Sequence, residues 1–285
     1  MNVHEILRRF NLRPRKGLGQ NFLVDEVHLA RIVAAAELSP EDIVLEIGPG
    51  LGTLTTRLAR EAGRVIAVEL DERMLPILQE VLAEHENVRV IHGDILALDP
   101  AELIEQETAF TPSASEPMSY KVVANLPYYI ASAAIRHLLE ARVPPSLIVL
   151  TVQKEVAQRM AALPPRMSIL AVSVQFYAEV EIVDRIPAGA FYPAPKVDSA
   201  VVRLRRRPQP AVSVENVKGF FRVVRAGFSQ RRKQLRNALA AGLGRPAREV
   251  TAALEAAGID PRRRAETLTL EEWGRLAEAL LLSHR

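Results

Sequence analysis

From Ile43 onward, short apolar runs alternate with longer amphipathic stretches. Ile43–Ile47, Val65–Glu69, Val88–His92, Lys121–Ala124 and Leu147–Val152 are brief and rich in β-branched residues, the composition of strands on a pleated, buried surface. Between them, apolar positions recur at helical spacing over Thr53–Arg60, Glu72–Ala83, Ser132–Glu140 and Lys154–Ala161. Strands alternating with helices predict βαβ units, and so a mostly parallel sheet with helices on both faces. The run Ala109–Ser119, with its prolines and serines, reads as a surface loop.

Ser168–Ala178 fits a helix or a strand equally well. Val180–Ile186 and Ala200–Leu204 read as strands on either side of the proline-rich turn Phe191–Lys196. Beyond Arg207-Pro208-Gln209-Pro210 the strand pattern stops. Helices are predicted over Val214–Ala226, Arg231–Ala240, Pro246–Ala257 and Leu270–Leu282, and Thr269 with Glu272 forms a capping box for the last. The expected organisation is an α/β domain over residues 1–205 and a small all-α domain over 206–285.

Composition narrows the chemistry. The 285 residues contain no cysteine, which excludes disulfides, thiolate metal sites and cysteine nucleophiles together. The six histidines show no H-x-x-x-H spacing, and no catalytic metal is expected. No run approaches the roughly 20 apolar residues of a membrane span, and Met1–Phe10 lacks an apolar signal core. A cytoplasmic protein without membrane contact is expected. Charge is segregated, at +4 over residues 1–24, −11 over 25–202 and +10 over 203–285. Basic ends around an acidic middle suggest a polyanionic partner held by the flanks. The densest clusters are Arg203-Leu204-Arg205-Arg206-Arg207 and Arg231-Arg232-Lys233-Gln234-Leu235-Arg236. In the second, Arg232, Lys233 and Arg236 would share one helical face and are candidate contacts to that partner's phosphates. The first is explained as well by a solvated strand end, and Arg262-Arg263-Arg264 is undecided.

The first motif with chemical content is Glu46-Ile47-Gly48-Pro49-Gly50-Leu51-Gly52, between a strand and a helix. Glycines there permit positive φ and close approach of a ligand to the backbone. Glu69 ends the next strand, near the spacing at which an acid meets ribose hydroxyls, and Asp94 ends the third. One carboxylate can accept from ribose and the other from an adenine amino group. A dinucleotide fingerprint needs a third glycine where Thr53 stands. Glu46 beside the loop suits a cation better than a diphosphate, and S-adenosyl-L-methionine, with its sulfonium and ammonium, meets that requirement.

Asn125-Leu126-Pro127-Tyr128 follows the fourth strand. An amide oxygen and a backbone carbonyl there can accept hydrogen bonds from one exocyclic amine, and the tyrosine offers a stacking face. Aiming an amine's lone pair at an electrophilic methyl is a positional task, helped by dipoles that stabilise developing positive charge.

With these segments in place, the chain resembles the ribosomal RNA adenine dimethyltransferase family. The resemblance rests on Gly17–Leu23, Glu46–Thr55, Val68–Asp71, Gly93–Ile95, Asn125–Tyr128, Gln153–Ala157 and Phe191–Ala200, in that order over about residues 16–240. It implies a Rossmann-like class I methyltransferase fold, α/β with a mostly parallel seven-stranded sheet. Asn21, Leu23, Gly48, Gly50, Glu69, Asp94 and Asn125 would bind S-adenosyl-L-methionine. Asn125 and the Leu126 carbonyl would hold the target amine, and Tyr128 and Phe191 would sandwich a flipped adenine. The basic helical end and the Phe191–Ala200 run resemble the housekeeping branch, which dimethylates two adjacent adenosines near the 3′ end of 16S RNA in the assembling small subunit. A monomer is expected. Pro164-Pro165-Arg166-Met167-Ser168 departs from the longer loop of many bacterial relatives. The competing readings are a nicotinamide-dependent dehydrogenase, a catalytically silent RNA-binding assembly factor, and a 23S RNA or DNA adenine methyltransferase.

Overall fold

The computed structural model describes residues 3–108 and 118–282. Most of the expected loop Ala109–Ser119 lies outside them. The chain forms two compact units. One comprises residues 1–157 and 181–206, the other 158–180 and 207–285.

The first unit opens with helix α1 (Val3–Arg9), the short strand β1 (Phe22–Leu23) and α2 (Glu26–Ala35). Then β2 (Ile43–Ile47), α3 (Thr55–Glu61), β3 (Arg64–Glu69), α4 (Leu75–Val81), β4 (Val88–His92) and α5 (Pro100–Thr108) follow. β5 (Lys121–Asn125), α6 (Ala131–Leu139), β6 (Leu147–Gln153) and α7 (Lys154–Met160) complete the alternation. After α8 (Ile169–Tyr177) come β7 (Ala178–Ile186), β8 (Phe191–Tyr192) and β9 (Ser199–Arg206). The main sheet runs β4-β3-β2-β5-β6-β9-β7. Pairings from β4 through β6 are parallel and β6 with β9 is antiparallel. The expected seven-stranded, mostly parallel sheet is present. Its central strands are buried throughout, Val44, Leu45, Val65, Ile66, Val122 and Val123 all having no exposure. That is why they read as continuous apolar runs rather than alternating ones.

The second unit contains α8 with α9 (Val217–Phe228), α10 (Leu235–Leu243), α11 (Ala247–Ala256) and α12 (Leu270–Leu282). The units part between Arg206 and Arg207, one residue from the expected 205/206, but residues 158–180, expected in the first domain, group with the C-terminal helices. Packing is the reason. Phe176 stacks on Phe220 at 4.9 Å and meets Phe221 edge-on at 5.2 Å, within a core that also holds Met167, Ala171 and Trp273. The ambiguous stretch is helical because Ser168 Oγ caps it, accepting from the Ala171 N–H. The Thr269–Glu272 capping box forms in both directions, at 2.8 and 3.2 Å.

Candidate active site

Strands β2, β3 and β4 follow one another outward from the sheet centre, and β5 and β6 extend the other way. The reversal between β2 and β5 is a topological switch point, where open α/β sheets bind ligands beyond the strands' carboxyl ends. A cavity of about 280 Å³ lies there. Asn21, Leu23, Gly48, Gly50, Glu69, Asp94, Asn125, Leu126, Tyr128 and Phe191, from scattered parts of the chain, all line it.

The glycine loop sets its floor. Gly48, Gly50 and Gly52 have φ of +69°, +57° and +77°, where a side chain is strained. A Cβ at Gly50 would also stand 3.0 Å from the Phe22 ring. Glu69 accepts from the Gly50 N–H at 3.0 Å and from the Asp71 N–H at 2.7 Å. Burial raises its pKa, and those two donors oppose the rise. Its carboxylate is thus held by the loop, with lone pairs left for a diol. Asp94, at the end of the next strand, accepts from the Leu96 N–H at 2.9 Å.

Glu46 is 1% exposed and its Oε2 has no hydrogen-bond partner. Burial pushes its pKa up to about 8, and neighbouring Glu69 pushes the same way. The Thr55 hydroxyl is near enough to pull it partly back but makes no well-formed bond. A buried carboxyl oxygen without a partner is costly. Here it lines a cavity beside a second acid, an environment that favours a cationic nucleoside and disfavours a diphosphate. These residues fit S-adenosyl-L-methionine.

An N-terminal strap lies across the cavity. Gln20 Nε2 donates to Asp71 Oδ2 at 2.8 Å, and the Arg73 guanidinium holds Asp71's pKa down at about 2. The Asn21 carbonyl accepts from Asn125 Nδ2 at 3.2 Å. Phe22 and Leu23 pair with Tyr192 and Phe191 through β1 and β8. The Asn21 bond orients the Asn125 amide, leaving Oδ1 as the acceptor. Tyr128 is half-buried, its hydroxyl 2.7 Å from Ser199 Oγ, and burial raises its pKa. Phe191 is 4% exposed. Sequence reasoning assigned no role to Gln20, Phe22, Tyr129 or Ser199. Only the Gly17–Leu23 run marks the first two, and the Phe191–Ala200 run contains Ser199 without giving it a role.

The basic candidates lie in the other unit. Arg232 and Lys233 do not share a helical face with Arg236, as the spacing suggested. They sit in an exposed turn, since α10 starts at Leu235. The Lys233 N–H turns back to the Gln230 carbonyl, while those of Leu235 and Arg236 are taken by the carbonyls of Arg263 and Pro261. Arg231, Arg232 and Lys233 form no ion pair among the described residues. By contrast, Arg203 pairs with Glu37 and Glu181, Arg205 with Glu37, Arg207 with Glu179, and Arg263 with Glu272. No cluster of potential metal ligands occurs among the described residues. Nor, among them, is any helix long and apolar enough to cross a membrane.

A family model described as ribosomal RNA adenine dimethylase matches residues 11–281. The chain is 49% identical to a ribosomal RNA small subunit methyltransferase A of Dehalococcoides mccartyi, covering 94% of this chain and 89% of that one. It is also 49% identical to the protein so named in Pelotomaculum thermopropionicum, covering 98% and 95%. Among solved structures, the 23S rRNA methyltransferase ErmE is similar with a TM-score of 0.71 at 33% identity, covering 91% of this chain and 99% of that one. A dimethyladenosine transferase from Plasmodium falciparum gives 0.72 at 26% identity, covering 90% and 95%. A match nearly end to end, and a cavity lined by every residue expected to bind cofactor or base, lead to one conclusion: the chain belongs to the ribosomal RNA adenine dimethylase family.

Proposed function

We propose that the protein transfers methyl groups from S-adenosyl-L-methionine to N6 of two adjacent adenosines in a hairpin near the 3′ end of 16S RNA, within the assembling small subunit. The observation that carries this reading is the meeting of the acid-lined glycine loop and the Asn125–Tyr128 turn in one cavity. When bound, S-adenosyl-L-methionine supplies an electrophilic methyl on a sulfonium. Glu46, Gly48 and Gly50 would hold its methionine portion, Glu69 its ribose and Asp94 its adenine, with Asn21 and Leu23 closing over it.

Asn125 Oδ1 and the Leu126 carbonyl accept from the target N6, turning its lone pair toward the methyl and stabilising the positive charge that develops there. Tyr128 and Phe191 stack on the two faces of the extruded base. No strong proton-abstracting base is required. The N6 proton becomes acidic only once nitrogen carries the positive charge, and solvent can take it.

The RNA contact falls to Arg232, Lys233 and Arg236. The turn at 231–233 leaves its cations exposed and unpaired among the described residues, whereas those of 203–207 are largely engaged with acids. Likeness to ErmE supports 23S RNA as a second reading, but the higher identity lies with proteins named for the small subunit. The protein is read as cytoplasmic and monomeric. Incubation with labelled S-adenosyl-L-methionine and undermethylated ribosomal subunits tests the assignment. Label is expected in paired dimethyladenosines of 16S RNA. Label in 23S RNA would favour the second reading, and particle binding without label would favour a silent assembly factor.

A further inference from the structure

The ring of Tyr128 is tethered at both ends. Its backbone belongs to the turn that carries Asn125, and its hydroxyl lies 2.7 Å from Ser199 Oγ. Ser199 is fully buried, at the first position of β9 and paired with Gln153 across to β6. The residue before it is fastened as well. The Asp198 carbonyl accepts from the Lys154 N–H at 3.0 Å, and its carboxylate accepts from the Ala188 N–H at 3.1 Å. Ser199 therefore presents its hydroxyl from a backbone that has little freedom to move.

A phenol ring attached only at Cβ can swing about two torsions. Its far oxygen lies on the Cβ–Cγ axis, so pinning that oxygen to a rigid strand fixes the first torsion, and with it where the ring stands in the cavity. The same Asp198–Ala188 bond closes the segment that carries Phe191, so both walls of the aromatic slot are referred to one point on β9. Reactions governed by positioning lose rate steeply for displacements near 1 Å.

We propose that Ser199 is a positioning residue for methyl transfer, setting where the Tyr128 ring stands as the wall against which the target adenine stacks. This rests on the reading of Tyr128 as a stacking wall. Ser199 is not among the residues that line the cavity and acts only through the tyrosine hydroxyl.

A double-mutant cycle on the full-length protein tests it, using undermethylated small subunits and labelled S-adenosyl-L-methionine. Ser199→Ala and Tyr128→Phe remove the same bond from opposite sides. Each is expected to lower kcat about fivefold, roughly the worth of one neutral hydrogen bond, with the KM for S-adenosyl-L-methionine unchanged. The double variant should be no slower than either single one. Decrements that multiply would show that Ser199 acts on packing in general, and wild-type kcat in either single variant would also overturn the proposal. Tyr128→Phe keeps the ring and guards against misfolding of Ser199→Ala.

A second readout needs no turnover. With 3-fluorotyrosine incorporated, the Tyr128 fluorine resonance, assigned by its loss in Tyr128→Phe, should be sharp in the otherwise unaltered protein. It should shift or broaden in Ser199→Ala. An unchanged resonance would sink the proposal. An unaltered protein that transfers no methyl would instead sink the functional reading and leave this spectroscopic test in force.

Discussion

Glu46 links ligand binding to protons. In the ligand-free protein its pKa stands at about 8 because of burial, so at pH 7 about nine-tenths of the molecules carry a neutral carboxylic acid there. A cationic ligand beside it favours the carboxylate, and binding must then release protons, at most about 0.9 per site at pH 7. Apparent affinity should rise with pH, by at most about tenfold per unit, and level off above pH 8. The ligand's own amino group also titrates in this range, so Glu46→Gln is the reference. Isothermal calorimetry in buffers of different ionisation enthalpy gives the proton count directly. The ratio of wild-type to variant affinity is expected to climb more than tenfold between pH 6 and 8, with proton release confined to the wild type. The same burial costs stability. As pH rises from 4.5 toward 8 the unfolded chain ionises this group and the native state does not, so native stability is lost across that window and not beyond it. At ~1.4 kcal/mol per unit the loss is at most roughly 5 kcal/mol, and Glu46→Gln should abolish it. Equal proton release by both proteins, and a flat affinity ratio, would refute the reasoning.

Asn125→Ala should lower kcat about 10²–10³-fold, with a smaller change in affinity for S-adenosyl-L-methionine, read from single-turnover kinetics and calorimetry. Gly50→Ala places a side chain at φ +57° and 3.0 Å from Phe22. It should cost about 1–2 kcal/mol of stability by thermal melting and weaken cofactor binding. Reversing charge at Arg232, Lys233 and Arg236 should weaken RNA binding and flatten the log-log salt dependence by about 0.7 per lost phosphate contact. Its melting temperature should hold, because Arg232 and Lys233 are exposed.

The sheet was legible because its central strands are buried on both faces and carry β-branched residues in unbroken runs. The glycine loop, Glu69, Asp94 and Asn125 were legible because each ends a strand at the same edge, so order along the chain fixes their neighbourhood in space. Helices α1, α2 and α5 are not marked by the apolar pattern, although Asp25 and Asp99 cap two of them in the ordinary way, accepting from the N–H groups of Val27 and Ala101. The β1–β8 pair left no trace in the pattern. Each strand is two residues long and exists only because the strap meets the Phe191 segment. Residues 158–180 looked like part of the α/β domain by position, and only the packing of Phe176 on Phe220 and Phe221 assigns them elsewhere. Helical spacing over 231–236 was misleading because backbone bonds to Arg263 and Pro261 start α10 at Leu235. Contacts of this kind, Gln20 with Asp71 or Tyr128 with Ser199, join distant segments and have no local signature.

The most direct measurement is a structure of the protein with S-adenosyl-L-methionine and a 16S-derived hairpin. The expected result is a base extruded between Tyr128 and Phe191, its N6 within hydrogen-bonding distance of Asn125 Oδ1 and the Leu126 carbonyl, and the donor methyl facing that nitrogen. A donor lodged away from Glu46 and Glu69, or an Asn125 that meets no amine, would contradict it.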